Sequence, residues 1–327
     1  MNNVLGIGNA LVDILIRLEN EDLLHELNLQ KGSMQLVDKN FINLVLSKTK
    51  HLSKVQASGG SAANTIHGLA SLGIETAYIG KVGNDELGEF FINDLKRNRI
   101  KPFLKHSNTE TGVASTLITP DSERTFGTYL GAAVELDNTD LNQDLFTGYQ
   151  YFHLEGYLVL NTSLVETALK MAKAKNMTVS LDLASYNVVE ANLDFLKAII
   201  NEYVDIVFAN EEEAKAFTGK APQEALSEIA SMSSIAVVKI GKNGSLIKHG
   251  NDVYRVGAIS ANVIDTTGAG DLFAAGFLYG LVKCLSLYQC GHIGALLAGK
   301  VIEIMGAKIT DTIWDDIKAG VKKIEAA

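Results

Sequence analysis

With 327 residues the chain is long enough to bury a large core, as one big α/β domain or as two smaller ones. A hydrophobic share of 47% beside 20% charged residues is that of a globular protein and excludes disorder over most of the length. The formal charge of −9 excludes nucleic acid or an acidic membrane surface as the main partner, because no basic stripe is available to displace counterions. The run Lys96-Arg97-Asn98-Arg99 reads as a solvated helix end. Cys284 and Cys290 fit neither a disulfide framework nor a zinc knuckle and read as reduced thiols. Residues 1–16 lack a basic start followed by a longer apolar run, and no apolar stretch reaches membrane-spanning length, so the expected location is the cytoplasm.

Residues 4–16 alternate short apolar runs with small residues, as a buried first strand and its exit would. Within them Gly6-Ile7-Gly8-Asn9-Ala10-Leu11 lacks the third glycine of a dinucleotide loop and leads into another strand-like run, which rules that loop out. Asp13, a lone carboxylate in an apolar run, either caps a turn or reaches a polar ligand. Residues 23–29 predict a short helix, and 31–37 a turn with a short strand. Residues 57–73 are dominated by small side chains and predict a helix over 61–72, stopped by Gly73. Gly59-Gly60 at its start and Asn64 one turn in point to ligand contact, although close helix-to-sheet packing also asks for small residues. His67 reads as a buried, hydrogen-bonded histidine.

A strand over 76–82 and a helix over 85–98 follow. Residues 111–118 alternate like a half-exposed strand ending at Pro120-Asp121, and 124–129 resume the pattern, which predicts a hairpin serving as a flap between βα units. Arg124 is there either an exposed cation or a phosphate clamp. From residue 149 the apolar strands 149–154, 178–183, 204–209 and 235–240, most with helical patterns between them, predict a parallel sheet with helices on both faces. Ligands bind beyond the carboxyl ends of such strands, where Asp182, Asn210 and Gly241 lie.

Asn210-Glu211-Glu212-Glu213 has the pattern of a capping box, and Glu213 is equally a carboxylate for a hydrated magnesium ion. Residues 237–247 predict a hairpin with Asn243-Gly244 in a type I′ turn, placed to wall a nucleotide base. The stretch Asp265-Thr266-Thr267-Gly268-Ala269-Gly270-Asp271 then runs into the apolar segment 272–282. Gly268 and Gly270 let the backbone turn sharply, and the free N–H groups and dipole of a helix start offer a seat for phosphate. Asp271 at that seat is either a first-turn acid complementing the dipole or a group that takes a proton. Helical patterns over 291–305 and 312–323 close the chain. No repeat or linker divides it, so residues 1–327 are expected to form a single domain.

Taken together, Gly59-Gly60-Ser61-Ala62-Ala63-Asn64, Gly80 to Gly88, Asn210 to Glu213 and Asp265 to Asp271 stand in an order that resembles the PfkB (ribokinase-like) family of carbohydrate and nucleoside kinases over nearly the whole length. The resemblance implies a ribokinase-like α/β fold, a mostly parallel sheet with helices on both faces plus a small β-flap, or lid, formed by segments of about 11–38 and 98–131. It implies transfer of the γ-phosphoryl of ATP to a hydroxymethyl of a sugar or nucleoside, with Asp271 as general base and backbone donors from Gly268, Ala269 and Gly270. Asp13, Gly59, Gly60 and Asn64 match positions that hold the acceptor. Lys239, Gly241 and Gly244 match the nucleotide-side loop, Asn210 and Glu213 the Asn-x-x-Glu motif with its Mg²⁺, and Arg124 would close over the phosphates. A monovalent cation such as K⁺ near Asp265-Thr266 also belongs to that picture.

The segments Lys31 to Met34, Leu181 to Tyr186 and Phe208 to Ala214 look like the adenosine-kinase-like branch, so adenosine kinase in the narrow sense is one alternative. A catalytically silent sugar- or nucleotide-binding protein is another, disfavoured by the presence of Asp271, its glycines and Glu213. Phe103, Phe126 and Tyr129 are the candidates for sandwiching a purine. Exposed flap edges would suit a homodimer, with no nucleic acid and no membrane as partners.

Overall fold

Val207, Phe208 and Ala209 on one strand, like Ala236, Val237 and Val238 on the next, are apolar at consecutive positions and fully buried. A strand needs that composition only when both of its faces are covered. In the computed structural model, which describes residues 3–121 and 123–327, these runs form the centre of a large sheet. The described strands are, in chain order, β1 (Val4–Ile7), β2 (Leu11–Arg17), β3 (Met34–Leu36), β4 (Lys54–Gly59), β5 (Thr76–Gly83), β6 (Ile100–Ser107) and β7 (Thr111–Ile118). They continue with β8 (Arg124–Gly131), β9 (Tyr151–Glu155), β10 (Thr178–Asp182), β11 (Ile206–Asn210), β12 (Ile235–Lys239), β13 (Ser245–His249) and β14 (Asp252–Val256).

Nine strands make the larger sheet in the order β14-β13-β12-β11-β10-β9-β1-β5-β6, parallel from β12 to β6 and closed by an antiparallel edge. Alternate residues feed two cores. Leu5, Ile79, Val179, Val207 and Val238 meet the helices Thr162–Ala174, Leu193–Tyr203, Glu211–Thr218 and Pro222–Met232 on one face. Val4, Tyr78, Phe208 and Val237 meet Ser61–Ser71, Glu86–Arg97, Ala269–Val282, Leu287–Val301 and Asp311–Glu325 on the other. The ribokinase-like α/β architecture expected from the sequence is therefore present.

Five strands make a second, smaller sheet in the order β3-β8-β7-β2-β4. Its outer face packs Ile14, Ile16, Val113 and Leu117 against Leu24, Ile42 and Val45. Its bounds differ from the expected segments in two ways. Strand β6 pairs in parallel with β5, from Thr76 opposite Ile100 to Gly83 opposite Ser107, and so extends the large sheet instead of the flap. Strand β4 pairs with β2 from Leu11 opposite Gly59 to Ile16 opposite Lys54, adding an edge the sequence did not announce, because Lys54, Gln56 and Ser58 mask its apolar pattern. Nor is β7 half exposed: every residue of Thr111–Ile118 is buried, since the strand lies inside the small sheet with helices on one face and the body of the molecule on the other. The hairpin after β12 turns through a 3-10 segment, Gly241–Asn243, with positive φ at Gly241 (53°) and Gly244 (93°) but not at Asn243, so it is not the expected type I′ turn.

The Ala269–Val282 helix approaches Leu287–Val301 closely because glycines face the contact. A Cβ on Gly276 would lie 2.7 Å from the Ile293 carbonyl oxygen and 2.8 Å from the Gly294 nitrogen, backbone atoms that cannot rotate away. Gly276→Ala should therefore cost about 1–3 kcal/mol of stability, read as a lower urea midpoint. An unchanged midpoint would mean that the two helices separate freely.

Candidate active site

Between the inner face of the small sheet and the carboxyl ends of the large one lies a cavity of about 1510 Å³. Asn9, Glu155, Asp182, Asn210 and Lys239 line its floor from the ends of successive strands, and Asp13, Ala114, Phe126, Thr128 and Leu36 line its roof. Strand order alone accounts for the gathering: parallel strands deliver all their carboxyl ends to one edge.

Asp271 sits in the first turn of the Ala269–Val282 helix, whose N-cap Gly268 adopts a left-handed conformation (φ 75°). A side chain at Gly268 would collide with Ala307, its Cβ lying 2.6 Å from that of the alanine. The Asp271 carboxylate accepts from Ser61 Oγ at 2.7 Å and from Asn64 Nδ2 at 3.0 Å, and its backbone oxygen accepts from Thr65 Oγ1 at 3.1 Å. Two helix starts are thus joined through one carboxylate. Burial pushes its pKa up to about 6 against the pull of Asn64 and Ser61, which leaves a carboxylate ionised at neutral pH and more basic than usual.

Asp13 on β2 projects into the same cavity, and its carboxylate makes no hydrogen bond with a described residue. Burial raises its pKa to about 7. Gly59 makes room for it, since a Cβ there would lie 2.4 Å from Asp13 Oδ1; Gly60, with φ 96°, would meet the Asn9 carbonyl oxygen at 2.2 Å. Asn64 Oδ1 is buried without a partner. One carboxylate and one amide oxygen therefore await donors, which is what a polyhydroxylated acceptor supplies.

On the opposite side, Asn210 and Glu213 form the capping box: Glu213 Oε2 accepts Asn210 N–H at 2.7 Å, Oε1 accepts Asn210 Nδ2 at 2.7 Å, and Asn210 Oδ1 accepts Glu213 N–H at 2.8 Å. Burial first, and Asp182 next, raise the Glu213 pKa to about 7. Lys239 reaches Asp182 Oδ2 at 2.8 Å, and Gly241 and Gly244 line the cavity beside it.

The profile of the pfkB family carbohydrate kinases matches residues 37–313. The chain belongs to that family. An uncharacterized sugar kinase of Archaeoglobus fulgidus is 31% identical over 243 residues, 74% of this chain and 96% of its own. A probable sugar kinase of Rhizobium etli superposes with a TM-score of 0.90 at 36% identity, over 98% of this chain and 99% of the other. An adenosine kinase of Sinorhizobium meliloti superposes with a TM-score of 0.89 at 35% identity, over 98% and 99%. The pfkB-family chain is accordingly a phosphotransferase with an alcohol group as acceptor, of the sugar or nucleoside kinase type. No helix among the described residues is long and apolar enough to cross a membrane.

Kinases of this family use ATP and typically Mg²⁺. Among the described residues no group of three or more His, Cys, Asp or Glu side chains could cage a metal, and Glu213 is only 3% exposed with both oxygens in its capping box. That donor set would suit a hydrated ion arriving with the nucleotide phosphates, for whose water Glu213 and Asp182 would be the acceptors. Arg124 does not line the cavity. Its Nη2 lies 2.5 Å from Asp265 Oδ2 and its Nη1 3.1 Å from Thr267 Oγ1, so it ties the start of β8 to the loop before the anion seat. Asp265 also accepts from the N–H groups of Thr267 and Gly306, which leaves little of it for a monovalent cation while the arginine is in place.

Of the aromatic candidates only Phe126 lines the cavity. Phe103 packs edge-on against Tyr149 on the large sheet, and Tyr129 packs into the outer core of the small one. His67 is partly buried, with Nε2 3.3 Å from Asp94 Oδ2.

Glu155 was not singled out from the sequence, where its one signal is a carboxylate ending an apolar strand. It is 1% exposed and accepts from Asn9 Nδ2 at 2.7 Å, Ala62 N–H at 3.0 Å and Asn9 N–H at 3.2 Å, and burial raises its pKa to about 7. It fastens the β1–β2 turn to the start of the Ser61–Ser71 helix. Glu155→Gln would turn an amide donor toward one of these N–H groups and should cost ~1–3 kcal/mol in chemical denaturation. No loss would show that solvent already serves those donors.

Proposed function

We propose that this kinase phosphorylates a nucleoside at its 5′-hydroxymethyl, with Asp271 as the general base. The observation that carries the reading is the inner face of the small sheet. Register places Asp13, Ala114, Thr128 and Leu36 in one row across β2, β7, β8 and β3, with Phe126 and Met34 side by side in the next. Three strand spacings put Leu36 ~14 Å from Asp13, farther than a monosaccharide reaches. Met34 (46% exposed), Leu36 (61%), Val134 (61%) and Leu160 (60%) all face this cavity, an apolar surface left uncovered. Such a patch asks for an apolar, flat partner. A ribose held at Asp13 and Asn64 with its base lying on the platform meets both needs. A phosphorylated sugar does not, since among the described residues the cations that line the cavity are Lys239 and Lys242, both on the nucleotide side.

In this reading Asp13 and the free amide oxygen of Asn64 accept from the ribose hydroxyls, and the N–H groups at the start of the Ala269–Val282 helix donate to the γ-phosphoryl. The magnesium that accompanies the nucleotide supplies charge neutralisation on the phosphates. Asp271 takes the proton of the attacking hydroxyl, held toward it by Ser61 and Asn64.

An acceptor panel of nucleosides, pentoses, hexoses, sugar phosphates and keto-sugar acids tests the substrate class. Burying ~150 Å² of a base at about 25 cal/mol/Å² favours nucleosides over free ribose by at least ~10² in kcat/KM. Equal or better turnover of a free sugar would overturn the nucleoside reading. Asp271→Asn should lower kcat by ~10²–10⁴ while leaving acceptor affinity largely intact. Because the base must be ionised, kcat should fall tenfold per pH unit on the acid side of about pH 6 in the wild type; a flat profile down to pH 5 would remove Asp271 from that role.

A further inference from the structure

Lys239 is a cation whose position a nucleotide-holding role does not explain. It ends β12, immediately before the Gly241–Asn243 loop, yet its head group pairs with Asp182 on the floor of the cavity. There Nζ lies 2.8 Å from Asp182 Oδ2, and the negative charges of Glu213 and Asp271 favour its protonated form at longer range. It also lies 3.1 Å from where a Cβ on Gly270 would stand, so the lysine is packed against the helix start that offers the phosphate seat. The strand-end carboxylate of β10 and the first turn of the Ala269–Val282 helix thus meet at one ammonium group. Side-chain exposures of 16% for Lys239 and 8% for Asp182 take the pair out of bulk solvent.

We propose that Lys239 is a catalytic residue that donates to the equatorial oxygens of the γ-phosphoryl during transfer, and that Asp182 is the positioning residue that aims it. The inference rests on the phosphoryl seat at the start of the Ala269–Val282 helix and not on which acceptor is used. In the step, the acceptor oxygen forms its bond to the γ-phosphorus while the bond to the β–γ bridging oxygen breaks. The bonding pair leaves with ADP, and the acceptor proton passes to Asp271. Negative charge gathers on the equatorial oxygens next to Gly270, where a preorganised, poorly solvated ammonium stabilises it most. Asp182 holds that ammonium when no nucleotide is bound and keeps it from folding back into the loop. The glycine at 270 follows from the same geometry, because a side chain there would press on the lysine head group.

Lys239→Met should lower kcat by ~10²–10³, with acceptor KM and ADP affinity changed by no more than about threefold. Because this variant leaves Asp182 buried without its partner, the double variant Asp182→Asn/Lys239→Met serves as the folding control and should show the same loss of kcat. Lys239→Arg should keep part of the activity. Asp182→Asn should lower kcat by about tenfold with KM for ATP little changed, and Asp182→Glu should restore part of it.

The deciding measurement is calorimetric binding of ADP with magnesium, with and without aluminium fluoride as a planar stand-in for the phosphoryl group. Loss of most of the tightening by aluminium fluoride in Lys239→Met supports the proposal. Equal weakening of ADP with and without the fluoride makes Lys239 a plain nucleotide contact and overturns it, as does a kcat within about threefold of wild type. This binding test needs no acceptor, so failure of every nucleoside in the panel would fall on the proposed substrate class alone.

Discussion

The site depends on one constraint, an ionisable carboxylate held where two helices begin. Burying a lone carboxylate is expensive, and the chain offsets the cost with the Ser61 and Asn64 side chains and with the positive ends of the Ser61–Ser71 and Ala269–Val282 helices. The compensation is incomplete, and the remainder appears as a pKa near 6. That incomplete balance makes the group useful. Fully satisfied, Asp271 would be a weak base; wholly unsatisfied, it would be protonated and could accept nothing at neutral pH. The glycines around it follow from the same constraint, because Gly268 must clear Ala307 and Gly59 must clear Asp13 for the helix starts and the carboxylates to come this close.

The cost recurs around the cavity and behind its walls. Asp13, Glu155 and Glu213 are each pushed up to about 7 by burial, and Lys308 is pushed down to about 8 with its ammonium buried and unpartnered. Charges of both signs are held apart with fewer hydrogen bonds than they could use. A fold selected for stability alone would pair them or replace them with apolar groups. Here Glu155 is the exception, since its three donors tie the first strand, its turn and the substrate helix together, and it is the most completely satisfied of the three carboxylates. Asp13 and the Asn64 amide oxygen, both short of partners, face the space where substrates enter.

How much of this was legible in the sequence depended on whether the signal was local. The Asp265–Asp271 stretch, the Gly59-Gly60 pair and the Asn210–Glu213 box each state their backbone geometry within a few residues, and the structure gathers Gly60, Asn64, Asn210, Lys239 and Asp271 around one cavity. Glu155 and Ser61 were silent because their roles come from neighbours far along the chain: Glu155 meets Asn9 only because β9 lies beside β1, and Ser61 meets Asp271 across 210 positions. The flap boundaries failed for a related reason. Strand β6 has the same apolar and polar mixture as a flap strand, and what assigns it to the large sheet is its pairing with β5. Lys239 was legible as a residue near the nucleotide but not in its direction, which Asp182, two strands away in the parallel sheet, decides.

The two sheets divide the work along the line where they meet. The large sheet brings charge to its carboxyl edge, since helix starts and strand ends concentrate polar groups there. The small sheet turns a mostly apolar face inward, with Asp13 as the acid in its row beside Ala114, Thr128 and Leu36. Charge in the floor needs an apolar roof, because the attraction between an ammonium or a helix dipole and a phosphoryl group weakens as water fills the space between them. Arg124 joins the two parts at the one point where it serves both, a buried cation from the start of β8 that grips Asp265 and Thr267 immediately before the phosphate seat. Roof and seat are therefore linked by a direct contact, and the loop that carries Asp271 cannot shift without drawing on the strand that carries Phe126, Thr128 and Leu130 above the acceptor.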